Sequence, residues 1–547
     1  MTTRWVAGIG GMTCDTCERH IERAVRQAGG TDARVSWRDG TATFAGDDVE
    51  ASTLAAAVDE VGYTLRSLQP ARPTGASGPG GGDFDLAVLG SGSAAFAAAI
   101  RASEAGARVV LIEKATPGGT CVNVGCVPSK ALLAAAETYW RGRHHNFDGI
   151  PHLNGAVPDL AAIVAQKDEL VAELRQAKYL DLVEGYGFEL RQGTARFVDA
   201  GTIAVDGEML TAASYLIATG AHPALPPIEG LDAVDYLTST TALDLTELPR
   251  SLAVVGANAI GLELGQAFSH LGVEVTFLDI AERIAPFEEP EISAALSAIL
   301  TADGARVVTA ARIQRATQTA DGTVVVEGDL GALGSRLDTA RVLVATGRAP
   351  NTADLNLSAA GVEVDERGFV VIDDHGRTSN RRAWAAGDVT PSPQFVYVAA
   401  AQGALVADNA VSGATRRLDY TALPRVTFTT PQVAAVGLTE AEAAAAGHDV
   451  ATAILPLDHV PRAIVSRDTR GLVKLVADRQ SDLLLGVHVL APGAGDVVQA
   501  GVYALMAGLT VADVAGAFHP YLTMAEGLKL AAQTFHRDVA KLSCCAA

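Results

Sequence analysis

Six cysteines occur in the chain, and all six fall in close pairs: Cys14 with Cys17, Cys121 with Cys126, and Cys544 with Cys545. A thiolate is both a nucleophile and a soft metal ligand. Two of them a few residues apart can close a disulfide, exchange one, or chelate a soft ion. In a reducing compartment such pairs are redox-active or metal-binding more often than structural. Adjacent Cys544 and Cys545, in the terminal "KLSCCAA", close only a strained ring and make a poor staple. Cys544 also opens a formal C-a-a-X box, but no polybasic stretch precedes it. A two-thiol chain end can instead take a metal ion from solution and pass it on by ligand exchange.

Two kinds of element must position these thiols. Residues 1–68 read as strand, helix, strand, strand, helix, strand, the split βαβ order, with Cys14 and Cys17 at a loop and helix start. Residues 69–82, "QPARPTGASGPGGG", cannot bury a face and form a flexible tether reaching roughly 20 Å. Beyond it, "DFDLAVLGSGSAAFAAAIRASEAGARVVLIEK" and "RSLAVVGANAIGLELGQAFSHLGVEVTFLD" repeat one strand, glycine turn, helix, strand pattern. Two such units imply two dinucleotide-binding domains. From about Asp419, strand-like segments alternate with Ala-rich helical stretches, as in an α+β domain. The expected organisation is therefore α/β: two Rossmann-like domains plus a C-terminal α+β dimerisation domain, preceded by a small βαββαβ unit. The expected boundaries are 83–232 and 351–418 for the first nucleotide domain, 233–350 for the second, and 419–547 for the last.

Composition narrows the function classes. Hydrophobic residues make up 49% and aromatics 5% of the chain, which suits small-residue α/β packing. A net charge of -21 repels polyanions and makes nucleic acid a poor partner. Neither a signal peptide nor a bilayer-spanning apolar run is expected, which points to a cytoplasmic protein without membrane insertion.

In "GSGSAA", Gly90 and Gly92 permit the tight turn and close approach of a pyrophosphate to the helix N-terminus, and Ala95 takes the third glycine position. Glu113, 23 positions after Gly90, ends the next strand, where a carboxylate accepts from a ribose 2′-hydroxyl. The second copy keeps Gly256 and Gly261 but places Asn258 at the middle glycine. Asp279 lies 23 positions after Gly256 and favours a 2′-hydroxyl, hence NADH. Arg283 is near enough to offset it, so the choice between NADH and NADPH stays open here.

Between the two units, "GGTCVNVGCVPSKALLAAAETY" sets Cys121 five residues from Cys126. Pro128 suits an early helical position, so Cys126 is expected just before a helix N-terminus, where the dipole favours thiolate. This stretch resembles the redox-active disulfide motif of the flavin disulfide reductases. The family's other marks are "ATG" at Ala218, Thr219 and Gly220, "ATGRAPN" at 345–351 including Gly347, and "AAGDV" at 385–389. The resemblance covers residues 83–547 and implies FAD and NADPH or NADH as cofactors. It implies that Cys126 is the flavin-proximal thiol and Cys121 the interchange thiol. It also implies that Gly119, Thr120 and Asp388 border the flavin, with Lys130 and Glu263 paired beside it.

Reductases of organic disulfides in that family carry a His–Glu pair near the C-terminus, the His being the general acid/base. Here "FHPYLTMAEG", aligned on Glu526, puts Tyr521 at that position, and His519 falls two residues early as a turn or surface residue. A phenol with a pKa near 10 is a poor base at neutral pH. A soft metal ion needs no proton, and "GMTCDTC" resembles the loop of heavy-metal-associated domains. All three pairs together, with "PYLTMAEGLKLAAQTF" and "KLSCC", resemble the bacterial mercuric reductases. That resemblance implies reduction of Hg(II), delivered as a thiol adduct, to Hg(0). It further implies a homodimer in which Cys544, Cys545 and Tyr521 of one subunit serve the Cys121/Cys126 site of the other, with Tyr179 a second active-site tyrosine. Two other readings stand beside it: a dihydrolipoyl dehydrogenase-like disulfide reductase, and a thiol-based metal-buffering protein.

Overall fold

A computed structural model describes residues 4–12, 15–37, 40–46, 49–70 and 82–537. Cys14, Cys544 and Cys545 lie outside the described residues.

The N-terminal unit runs β1 (Arg4–Gly10), α1 (Asp15–Gln27), β2 (Thr31–Ser36), β3 (Thr41–Ala45), α2 (Ala51–Glu60) and β4 (Thr64–Pro70). In α1, Ile21, Ala24 and Val25, with Ala28 just past its end, recur at helical spacing and are buried. They pack with Ile9, Phe44, Leu54 and Val58 against an antiparallel sheet of order β2-β3-β1-β4. This is the ferredoxin-like βαββαβ order. The first helix starts at Asp15, two residues before the start expected at Cys17.

The next layer begins with β5 (Phe84–Leu89), α3 (Ser93–Glu104) and β6 (Val109–Glu113). Their strands are continuous apolar runs because helices and sheet cover both faces. After them come α4 (Gly119–Asn123), α5 (Cys126–His144), α6 (Leu160–Arg175), a π-helical turn at Gln176–Leu180, α7 (Asp181–Tyr186) and β7 (Glu189–Gln192). The strands β8 (Ala195–Asp199), β9 (Thr202–Val205) and β10 (Glu208–Ile217) complete a sheet of order β7-β6-β5-β10-β9-β8. The ten-residue β10 runs parallel to β5 at one end and antiparallel to β9 at the other.

After β11 (Ala221–Pro223), the second nucleotide unit is β12 (Ser251–Val255), α8 (Ala259–His270), β13 (Glu274–Leu278), α9 (Pro290–Ala302) and β14 (Arg306–Val308). A three-stranded antiparallel sheet, β15 (Arg312–Gln318), β16 (Val324–Asp329) and β17 (Arg336–Thr339), precedes β18 (Arg341–Val344). The latter closes a parallel sheet of order β14-β13-β12-β18. The chain then returns through β19 (Arg348–Pro350), paired with β11, and β20 (Ala383–Ala385), which joins β10. Helix α10 (Val396–Val411) crosses α3 backbone to backbone: a Cβ on Gly403 would meet the Ala94 carbonyl oxygen at 2.0 Å.

The last unit is a five-stranded antiparallel sheet, β21 (Arg425–Thr427), β22 (Gln432–Gly437), β23 (Val450–Pro456), β24 (Leu472–Asp478) and β25 (Leu484–Ala491), in order β21-β22-β25-β24-β23. Helices α11 (Glu440–Ala445), α12 (Pro461–Val465), α13 (Ala494–Met506), α14 (Val511–Gly516) and α15 (Glu526–Gln533) flank it. A buried strut joins this unit to the second nucleotide unit. Lys474 Nζ, on a side chain 1% exposed, meets Glu289 and Glu291 at 2.9 Å each and Glu440 at 2.8 Å. Arg425 reaches Glu288 at 2.8 Å alongside. No described helix is long and apolar enough to cross a membrane.

Candidate active site

The first glycine turn is a backbone cradle. Gly90 has φ +110°, and a Cβ there would lie 2.4 Å from the Ala218 carbonyl oxygen. Gly119, at φ +66°, faces Gly92 so closely that its Cβ would fall 2.5 Å from the Gly92 Cα. Side chains are excluded there, and the N-terminus of α3 stays open to a pyrophosphate. Ala95 is fully buried in α3, where a small residue is needed for the packing of helix on sheet. Glu113 ends β6, accepting from Ser91 Oγ at 2.6 Å and Ala115 N at 2.7 Å. A cleft beside it is lined by Gly90, Glu113, Thr219 and Asn351.

Thr219 and Asn351 lock two distant segments together. Thr219 Oγ1 donates to the Asn351 carbonyl and Asn351 Nδ2 to the Thr219 carbonyl, both at 2.8 Å. Gly220, at φ +68°, accepts from Asn351 N at 2.9 Å, and the Gly347 carbonyl takes Ala224 N at 2.9 Å. Asp388 follows Gly387, whose N–H is held by Gln402 Oε1 at 2.7 Å in the core. Burial raises the Asp388 pKa, while Arg348 opposes the rise. Arg348 Nε faces Asp388 at 3.6 Å, too far for a hydrogen bond, and is a buried atom without a partner. The cradle, the buried Glu113 and this unpaired Arg348 Nε, on a guanidinium whose Nη2 donates to the Ala221 carbonyl, fit FAD, whose pyrophosphate, ribose and ribityl chain present matching groups.

Cys121 sits in the short helix α4 and Cys126 opens α5 as its first residue, one position earlier than expected. Gly125, at φ -126° and ψ -115°, takes the non-helical cap position, which shifts the start back. Both thiols are reduced and hydrogen-bonded to one another. The Cys121 thiol donates to Cys126, and with the Lys130 ammonium it pulls the Cys126 pKa down to about 7 against the opposing effect of burial. That same hydrogen bond, then burial, pushes the Cys121 thiol well above the ordinary range. The pair is thus asymmetric: one thiolate, one thiol.

Lys130 Nζ lies 2.6 Å from Glu263 on α8 and 4.7 Å from the centroid of the Phe428 ring. Glu263, almost fully buried, also accepts from Phe428 N at 2.9 Å. Three units converge here, since α5, α8 and the segment entering β22 each supply a group. Tyr179 occupies the π-helical turn, a rare geometry that often marks functional sites. Its ring stands edge-on to Phe96 at 4.8 Å, and its hydroxyl hydrogen-bonds Ser93. Burial above all, with the neighbouring dithiol adding to it, raises its pKa.

Other expected residues stand apart. Tyr521 is half exposed in the turn before α15, and the main groups acting on the two thiols do not include it. His519 is part of the same turn, with Nδ1 3.3 Å from the Ala517 carbonyl. Cys17 is buried in α1. Among the described residues, no group of three or more His, Cys, Asp or Glu side chains could hold a metal ion. In the second unit, Gly256 at φ +98° and Gly261 repeat the cradle: a Cβ on Gly261 would fall 1.9 Å from the Gly256 carbonyl oxygen. Asn258 caps α8 in an extended conformation, and Asp279 is buried at the end of β13. Arg348 and Phe428 were not singled out from the sequence. Arg348 lies inside "ATGRAPN", where an arginine in a short strand after a glycine was the available signal. Phe428 gives no local signal, since its partner Lys130 is some three hundred residues away.

The family signature described as "Pyridine nucleotide-disulphide oxidoreductase" matches residues 84–403, and that of its dimerisation domain matches residues 423–532. A mercuric reductase of Lysinibacillus sphaericus is 48% identical over 547 residues, covering 99% of this chain and 100% of the relative. One from Streptomyces lividans is 53% identical over 477 residues, 85% of this chain and 98% of that one. The chain belongs to the mercuric reductase family. Among solved structures, the Cu(II) complex of the HOCl-induced flavoprotein disulfide reductase RclA from Escherichia coli superposes with a TM-score of 0.75. It is 29% identical and covers 82% of this chain and 99% of its own. As a mercuric reductase within the pyridine nucleotide-disulphide oxidoreductases, the chain uses FAD and NAD(P)H. The dimerisation domain of the pyridine nucleotide-disulphide oxidoreductases corresponds here to the five-stranded sheet and its helices.

Proposed function

We propose that this enzyme reduces Hg(II) to Hg(0) with electrons from NAD(P)H, and that Cys121 and Cys126 hold the ion while it is reduced. The observation that carries the assignment is the asymmetric dithiol: a Cys126 thiol with its pKa near 7 beside a Cys121 thiol, with a lysine and no histidine among the groups acting on them. The Gly90–Gly92 turn, Glu113, Asp388 and Arg348 would hold FAD, which would supply the electron pair drawn from NAD(P)H.

The residues' part follows from thiol chemistry. Hg(II) arrives with two small thiolates, and Cys126 displaces the first, forming one S–Hg bond as another breaks. Cys121 displaces the second, and its proton leaves with the departing small thiolate. The ion is then two-coordinate between Cys121 and Cys126, a geometry that suits a soft ion. On reduction Hg(0) keeps no thiolate ligand, so both S–Hg bonds break and both sulfurs are left as thiolates; Cys121, the more basic, then takes one proton from solvent to restore the starting pair. Lys130, paired with Glu263, stabilises the Cys126 thiolate. Tyr179 closes the site beside Cys121 and limits water there.

The enzyme works as a homodimer, with Tyr521, Cys544 and Cys545 of one subunit delivering the thiol adduct of Hg(II) to the dithiol of the other. Cys14 and Cys17 gather the metal upstream, and a tethered unit can raise the local concentration of its cargo to about millimolar. The test compares NAD(P)H oxidation with Hg(II) in excess small thiol against oxidation with lipoamide or glutathione disulfide. Turnover with Hg(II) alone is expected. Rapid turnover of a disulfide without Hg(II) would overturn the assignment.

A further inference from the structure

We propose that the second nucleotide unit selects NADH over NADPH and that Asp279 makes the selection; this rests on reading that unit as the nicotinamide site. The chain contains its own reference for comparison. Glu113 in the first unit and Asp279 in the second each stand 23 positions after the first glycine of their turn. Both side-chain carboxylates are almost wholly buried, each residue being 9% exposed.

The holding pattern is also repeated. One oxygen of Glu113 is fixed by the glycine turn, through Ser91 Oγ at 2.6 Å, and the other by the N–H two residues on, Ala115, at 2.7 Å. One oxygen of Asp279 is fixed by its glycine turn, through Ala257 N at 2.5 Å, and the other by Ala281 N, again two residues on, at 2.8 Å. The adenosine of FAD carries a free 2′-hydroxyl, which a carboxylate accepts well. The second cradle is built to that same plan, so it fits an adenosine with a free 2′-hydroxyl.

A 2′-phosphate there would set a charge of about -1.5 to -2 against a fixed carboxylate unless a cation compensated. Arg283 is the candidate that the sequence offers, and the fold commits it elsewhere. Its Nη1 donates to the Glu288 carbonyl and lies 3.2 Å from Ser293 Oγ, while Nη2 donates to the Pro286 carbonyl at 2.7 Å. The guanidinium thereby ties the loop that leads into α9 rather than standing free to pair with a phosphate. The residues between are Ile280, 72% exposed, Ala281 and the exposed Glu282, none of them cationic. The neighbouring turn after β14, Thr309–Ala311, adds no cation either.

The test uses FAD-loaded full-length enzyme and two redox-inactive fragments, ADP-ribose and its 2′-phosphorylated form, titrated by calorimetry. ADP-ribose should bind at least about tenfold more tightly, the scale of one unfavourable like-charge contact. Asp279→Ser should narrow or reverse that ratio with the flavin absorbance unchanged, and Arg283→Ala should leave it as it is. If Asp279→Ser does not retain FAD, Asp279→Asn keeps the size and one acceptor while removing the charge, and should narrow the ratio likewise. Equal or tighter binding of the phosphorylated fragment, or its selective loss in Arg283→Ala, would overturn the preference while leaving the nicotinamide site standing. Binding of neither fragment would remove the site assignment and the proposal with it.

Discussion

At the scale of single residues, the reactivity of the site rests on Cys126. Its pKa is lowered to about 7, against about 8.5 for an ordinary thiol. The thiolate is therefore present above that value and lost as pH falls through it. Alkylation of reduced enzyme by iodoacetamide should follow a titration with its midpoint near pH 7. Lys130→Met removes one of the two main groups that lower the pKa, so the midpoint should move upward, toward the ordinary thiol range; an unmoved midpoint would mean that Lys130 does not act on the thiol. Cys121→Ala should abolish Hg(II)-dependent turnover while the protein keeps its FAD absorbance, since Cys121 is not part of the cradle. Loss of flavin in that variant would assign Cys121 a structural role instead. At this scale the sequence is most informative: thiol spacing, glycine turns and strand-end carboxylates are local patterns with local causes. What it leaves out are partners brought from far along the chain. The Arg348–Asp388 approach and the seat of Lys130 against Phe428 depend on tertiary closure, which no local window contains.

The elements explain why those residues hold their positions. The Gly90 turn joins β5 to α3 at φ +110° with the Ala218 carbonyl against it. Gly90→Ala should therefore cost about 1–3 kcal/mol through backbone strain alone, and more through displacement of the facing strand. The expected result is a protein purified with a sub-stoichiometric flavin content, read from the ratio of absorbance at 450 nm and 280 nm; full flavin content would contradict the cradle. The βαβ units and the split βαβ order of the N-terminal unit were legible because their apolar periodicity changes from strand to helix within a few residues. The π-helical turn at Gln176–Leu180 was not legible. Nothing in "LRQAKYL" marks the extra residue per turn, since no local propensity distinguishes a π-helical turn from an α-helical one. The start of α5 at Cys126 was misjudged by one residue because Gly125, rather than Cys126, takes the cap.

For the whole molecule, the relation between its units is the controlling feature. Lys474 is a buried cation shared by three carboxylates from two units. Lys474→Met would leave Glu289 buried without its counter-charge, a loss of about 3–5 kcal/mol for a broken buried pair; calorimetry should show a lowered Tm, and an unchanged one would mean the strut contributes nothing net. The dimerisation unit exposes Tyr503, Met506 and Phe518, large apolar side chains whose exposure suits an interface with a second copy. Phe518→Glu should weaken the dimer by about 2 kcal/mol if it is a central contact, visible as dissociation on dilution in light scattering. The measurement that tests the central claim most directly is the simultaneous recording of NADH or NADPH oxidation and of volatile mercury, with Hg(II) supplied in excess small thiol. One Hg(0) released for each nicotinamide oxidised, and oxidation that stops without Hg(II), is the result expected. Hg(II) that binds while oxidation stays at the oxygen background would contradict the account and leave a thiol protein that only sequesters the metal.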